Sequence, residues 1–374
     1  MKRNRIINWR AVGWMLLFVA VLSSCRDDDA GTPQAKMRTI SLNFPAIQPY
    51  TASRAENVDA ITGESTFHTA DIWVFNSDAA DGNATAAAYK HIEDAERYTT
   101  DDGELRTELT IPEEITTVDI YVITNNSAEG LDATSTRNAL EAATFSDKPD
   151  NNQSDKLTND GLLMSRIITA IPVDQLSGGY KANAQLPLER GVAKIACFFA
   201  KESESTQAQI TGITVSGAID KGYVFPEAVT YDERNSRPIE ANVPTGTGTT
   251  DTDILNETPL TIEAVLDDGQ TLVRGEDEDA QNYITRLTKT IQADHTDDYY
   301  LFEADANAMT VTIDYTLGGT QKNETITLTG DIIRNHYIVI TGTVLRTATP
   351  VDDIELEFVI LPYTVRDIII PDFE

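Results

Sequence analysis

Ile40, Leu42 and Phe44 alternate with Thr39, Ser41 and Asn43, and a period of two sets the three apolar side chains on one face of an extended strand. The same alternation returns at Ile354, Leu356 and Phe358, interleaved with Asp353, Glu355 and Glu357, and a second extended piece, 365–370 with Ile368 and Ile370, follows Pro362 and Tyr363. Between these ends the apolar runs are short, rich in Val, Ile, Thr and Tyr, and closed by Gly, Asn and Asp, which is strand chemistry bounded by turn chemistry. Strands are expected at 70–75 and 117–123, and again at 188–194, 210–215, 260–265, 310–317, 325–328, 337–344 and 354–361, with a short helix in 135–144. The fold expected is mainly β: two tandem β-sandwich-like domains with a few short helices, 55–187 and 188–374. Pro45, Pro49 and the polar stretch from Thr51 to Asn57 break the first strand off from the next, leaving Arg54 in the middle of an accessible loop.

The first 24 residues form a separate unit. Lys2, Arg3 and Arg5 precede an almost wholly apolar run at 11–22, too short to span a bilayer comfortably, and Leu22-Ser23-Ser24-Cys25 follows. A basic start, an apolar core and small residues before a thiol make a lipoprotein signal, cut ahead of Cys25 so that its sulfur carries diacylglycerol. Removing that leader with its four cations takes the formal charge from −31 to −35 and leaves 350 residues, enough for two cored domains. A surface so negative repels phosphate backbones, so nucleic acid is not an expected partner. With Cys25 acylated, Cys197 has no partner for a disulfide, and its apolar neighbours mark it as core.

Motifs of catalysis are missing. The four histidines, His68, His91, His295 and His336, make no local metal pair, and there is no GxSxG elbow, no phosphate loop and no GxGxxG, so no catalytic residue, metal or cofactor is expected. His336 reads as a surface or hydrogen-bonded histidine. The acidic run Glu276-Asp277-Glu278-Asp279 lacks the spacing and glycine of a calcium loop and reads as a solvated turn. Trp73 and Tyr121 could stack on a sugar, yet both lie in apolar strands, where core packing is the plainer expectation.

Several short motifs, in this order, resemble the fimbrillin or Mfa-like subunits of Bacteroidetes fimbriae. They are the Leu22–Cys25 tetrapeptide; Thr39-Ile40-Ser41-Leu42, then Ser53-Arg54-Ala55 and Ala70 to Asn76; Tyr121 to Asn125; Gly161-Leu162-Leu163-Met164; Arg190 to Ile195; Arg334-Asn335-His336-Tyr337; and the terminal strand pair from Ile354. Cys25-Arg26-Asp27-Asp28-Asp29 also resembles the acidic signal that sends such lipoproteins to the outer face of the outer membrane. The resemblance implies a precursor anchored by lipid in the outer membrane and then cut by a trypsin-like surface protease between Arg54 and Ala55. That cut removes a propeptide, 25–54, with the first strand and its Ile40, Leu42 and Phe44. It implies that another subunit's strand refills the seat, the candidate donor being Ile354, Leu356 and Phe358 or the later Ile368 and Ile370. The product would be a fimbrium that supports adhesion. The ending Pro371-Asp372-Phe373-Glu374 departs from the family's major subunit in having no tryptophan, which leaves stalk, tip and anchor roles open. A monomeric lipoprotein that binds glycans or host protein is the alternative.

Overall fold

The computed structural model describes residues 36–45, 64, 66–79, 81–100, 103–128, 130–149, 159–179, 186–202, 207–230, 241–255, 259–264, 270–291, 294–296, 298–305, 309–345 and 354–362. Its first part contains β1 (Met37–Pro45), β2 (Ala70–Asn76), β3 (Ala88–Ile92), β4 (Glu104–Pro112), β5 (Thr117–Thr124), the one-turn helix α1 (Arg137–Glu141) and β6 (Met164–Pro172). β1 and β4 pair as a two-stranded antiparallel layer, while β6, β5, β2 and β3 lie side by side in that order in a second sheet. A core cluster shared by Ile40, Leu42, Phe44, Leu105, Leu109, Ile72, Val74, Ile120 and Val122 joins the two layers. This is the half-sandwich that period two demands of β1 and β4.

β2 and β5 are apolar at consecutive positions because both of their faces are covered. Ile72 and Val74 face the β1–β4 layer, whereas Trp73, Phe75 and Tyr121 enter a second cluster with Phe225 from much later in the chain. The Tyr121 and Phe225 rings meet edge to face with centroids 5.6 Å apart, the geometry that ring quadrupoles favour. Trp73 is fully buried, and its indole N–H donates to the Asp132 carbonyl at 2.8 Å. The reading of both aromatics as core therefore holds, and neither is a sugar platform.

The second part contains β7 (Ala193–Lys201), β8 (Ala208–Ile219), β9 (Thr249–Asp253), the helix α2 (Ala280–Thr290), β10 (Tyr299–Leu301), β11 (Thr310–Leu317), β12 (Thr320–Thr327), β13 (His336–Val344) and β14 (Glu355–Pro362). One sheet runs β9, β8, β11, β12; the other runs β7, β13, β14, with β10 on the free side of β7. Their inner faces, including Ile210, Val215, Val311 and Ile313 against Ile195, Cys197, Phe199 and Ile340, continue the cluster that holds Trp73. α2 roofs the outer face of β7 and β13, setting Tyr283, Ile284 and Leu287 among Ala196, Phe198 and Val339. The described residues from Met37 onward pack as one compact unit.

Three expectations need correction. The acidic run at 276–279 is not merely solvated: Asp279 accepts from the Asn282 N–H at 2.7 Å as the N-cap of α2, and Glu278 pairs with Arg286 at 2.8 Å. A strand expected over 260–265 shrinks to Leu260–Thr261. His336 is half-buried rather than at the surface, with Nδ1 buried and unpartnered among the described atoms.

Candidate assembly interface

β1 is held on its two edges by unequal means. Along one edge it runs antiparallel to β4, with Ile40 opposite Leu109, Leu42 opposite Thr107 and Phe44 opposite Leu105. On the other edge, two bonds run from the Leu186 N–H to the Asn43 carbonyl at 3.0 Å and from the Leu188 N–H to the Pro45 carbonyl at 3.1 Å. The same increment on both chains makes this contact parallel. Ile40, Leu42 and Phe44 are each 0% exposed, so together they contribute roughly 5 to 9 kcal/mol of transfer free energy. Without β1 the seat would be a groove walled by β4 and 186–188, floored by the apolar face of β2 and β5, and lined with unpaired backbone groups.

The second face of β1 is polar and also closed in. Ser41 is 8% and Asn43 2% exposed. The Ser41 hydroxyl donates to Glu108 Oε1 at 3.4 Å, and the Asn43 amide donates to Glu104 Oε2 at 3.3 Å. Glu104 also pairs with Arg106, which stands opposite Asn43 in the ladder. This seat therefore takes apolar side chains on one side and hydrogen-bond donors facing carboxylates on the other.

At the far end of the chain, β14 is an edge strand on β13, paired from Glu355 opposite Thr343 to Pro362 opposite His336. Ile354 is buried at its start, while Leu356 and Phe358 are only half-buried against the large core cluster. Gly342 permits this approach, since a Cβ there would stand 2.7 Å from the Phe199 ring and 3.0 Å from Ile354 Cδ1. Of the residues singled out from sequence, Ile40, Leu42 and Phe44 come together in the β1 seat, and Leu356 and Phe358 lie in β14 with Ile354 immediately ahead of it. Cys25, Arg54, Ala55, Ile368 and Ile370 lie outside the described residues.

Sequence reasoning missed a buried polar junction that ties these parts together. Glu64, on the stretch between β1 and β2, is 0% exposed. Its Oε1 accepts from Lys194 Nζ at 3.2 Å and from the Tyr300 hydroxyl at 2.5 Å, and its carbonyl accepts from Arg190 Nε at 3.1 Å. Arg190 Nη1 donates onward to Asn335 Oδ1 at 3.0 Å, and the neighbouring Arg334 pairs with Glu303 at 2.9 Å. The signal was present in the stretches Arg190 to Lys194 and Arg334 to Tyr337, cations set inside apolar runs, but their common partner was not.

No family model matches the sequence, and no curated protein matches it either. The fold does match solved structures. A candidate cell adhesion protein from Parabacteroides distasonis is 14% identical with a TM-score of 0.51, and the match covers 87% of this chain and 97% of that one. The tip fimbrial protein Mfa3 from Porphyromonas gingivalis, solved with a C-terminal truncation, is 13% identical with a TM-score of 0.50, over 88% of this chain and all of that one. At such identities the likeness is one of fold, and it agrees with the resemblance carried by the motifs.

Proposed function

We propose that this chain is a structural subunit of a cell-surface fimbria, delivered to the outer membrane as a lipoprotein on Cys25, cut between Arg54 and Ala55, and polymerised by strand exchange. The observation that carries this reading is the seating of β1. It lies ahead of Arg54, inserts three fully buried apolar side chains into the core between β4 and the β2–β5 face, and has a continuous ladder on one edge alone. A cut after Arg54 would free residues 25–54, strand and lipid together, and leave a mature chain of two β-rich parts, 55–187 and 188–374. The vacated groove accepts a strand from another copy, head to tail, and such contacts propagate into a filament because they do not close on themselves. A trypsin-like surface protease and neighbouring subunits are the partners this requires.

The likeness in fold to a tip fimbrial protein favours a second reading, in which the chain ends the filament. An Arg54→Ala chain expressed in a cell that assembles the wild type separates these readings. A stalk subunit carrying that change stays lipidated and monomeric, whereas normal filaments built from it would rule out the cut. Filaments that contain one copy each, at one end, assign the tip.

A further inference from the structure

Resting on the strand-exchange reading, we propose that 354–358 enters the β1 seat of another copy in a fixed register, Ile354 where Ile40 sits, Leu356 where Leu42 sits and Phe358 where Phe44 sits, with Glu355 and Glu357 making it the weaker occupant. The two segments read Ile-Ser-Leu-Asn-Phe at 40–44 and Ile-Glu-Leu-Glu-Phe at 354–358. The apolar residue types are identical and recur in the same order, so the incoming strand runs in the direction of β1, antiparallel to β4 and parallel to 186–188. A slip by one residue would turn every apolar side chain out of the groove.

Burial supplies the direction of transfer. Leu356 and Phe358 are half-buried on their own β13, whereas Leu42 and Phe44 are 0% exposed. Moving from an edge to a closed seat removes further apolar surface from water. The polar side works the other way. Ser41 and Asn43 are buried in their seats and donate to the carboxylates of Glu108 and Glu104. A glutamate in the first places a carboxylate opposite Glu108, and one in the second meets an Arg106 already paired with Glu104. Like charges directly opposed across a ladder are destabilising. An uncut β1 therefore holds its seat against 354–358 on the polar side while matching it on the apolar side, and exchange waits until β1 has been severed.

The full-length chain carrying Glu108→Cys with Glu355→Cys, cut by a trypsin-like protease and mildly oxidised as it assembles, tests the register. The expected product is an interchain disulfide joining the two peptides, read by mass spectrometry. A chain carrying Glu108→Cys with Ile369→Cys tests the rival segment, since Arg366, Ile368 and Ile370 would otherwise overlay Arg38, Ile40 and Leu42. A 108–369 link overturns the register and leaves strand exchange standing. Filaments with neither link overturn both. Compared with Arg274→Ala, which removes only the 3.2 Å pair between Arg274 and Glu357, the double variant Glu355→Ser with Glu357→Asn, which copies 40–44, probes the charges without a crosslink. It should raise the rate of assembly roughly two- to tenfold, with the gain shrinking as salt screens the carboxylates. An unchanged rate would overturn the role given to the two glutamates.

Discussion

Asp119 interrupts the apolar run of β5 and is nonetheless 4% exposed. Its carboxylate accepts from the Ser77 hydroxyl at 2.6 Å and the Ala170 N–H at 2.8 Å, and pairs with Arg137 at 2.8 Å. It closes a bulge where the register of β5 on β6 shifts and Ala170 takes a positive φ of 56°, a conformation that alanine adopts at a cost. Asp119→Ala should lower stability by about 1 to 3 kcal/mol in a denaturant titration, because it leaves the Ala170 N–H without its acceptor and takes the ion-pair partner from a half-buried Arg137, which keeps its bond to the Asn76 carbonyl at 2.6 Å. Cys197 is fully buried, and burial pushes its thiol up to about 12, so iodoacetamide should leave it unlabelled until the protein unfolds. His336 behaves oppositely to a surface histidine, since burial lowers it to about 4 from 6.5. Between those values the unfolded chain binds the extra proton, so stability rises with pH across that window and is lost as pH falls from 6.5 toward 4. His336→Gln should flatten the pH dependence of the melting temperature there. Sequence placed Cys197 correctly from its neighbours, but it could not foresee the burial of His336, which depends on the strand that arrives beside it.

At the scale of elements, what was legible followed the strength of the period. β1, β2, β5, β11 and β13 lie within a residue or two of where alternation and apolar runs set them. β4 escaped notice because Thr107, 2% exposed, occupies an inward seat between Leu105 and Leu109 and weakens the apolar signal. α2 escaped for a related reason: Tyr283, Ile284 and Leu287 have helical spacing, but three of its 11 residues are threonines, which are poor helix formers. Packing on β7 and β13 overrides that propensity. Leu42→Ala in the uncut chain should cost about 2 to 5 kcal/mol by leaving a cavity at the centre of its core, measured as a shift in the denaturant midpoint.

Across the whole molecule, the core that contains Trp73 also contains Ile354, and Glu64 reaches Tyr300 across 236 positions of sequence. No local pattern encodes such a pairing, because a buried carboxylate looks like any other acid in a chain with 60 of them. Its physical role follows from its place. Glu64 ties the stretch between β1 and β2 to the β7–β13 sheet, so loss of β1 would end at a pinned point and not unravel β2. Glu64→Ala should therefore destabilise the cut chain more than the uncut one, a difference of melting temperatures that a generic packing loss would not produce. Assembly turns on whether β1 leaves. Peptide mapping of subunits taken from assembled filaments reads this directly: strand exchange after the cut gives chains that begin at Ala55 and yield no peptide from Met37–Pro45, whereas filaments whose subunits retain that strand would contradict it.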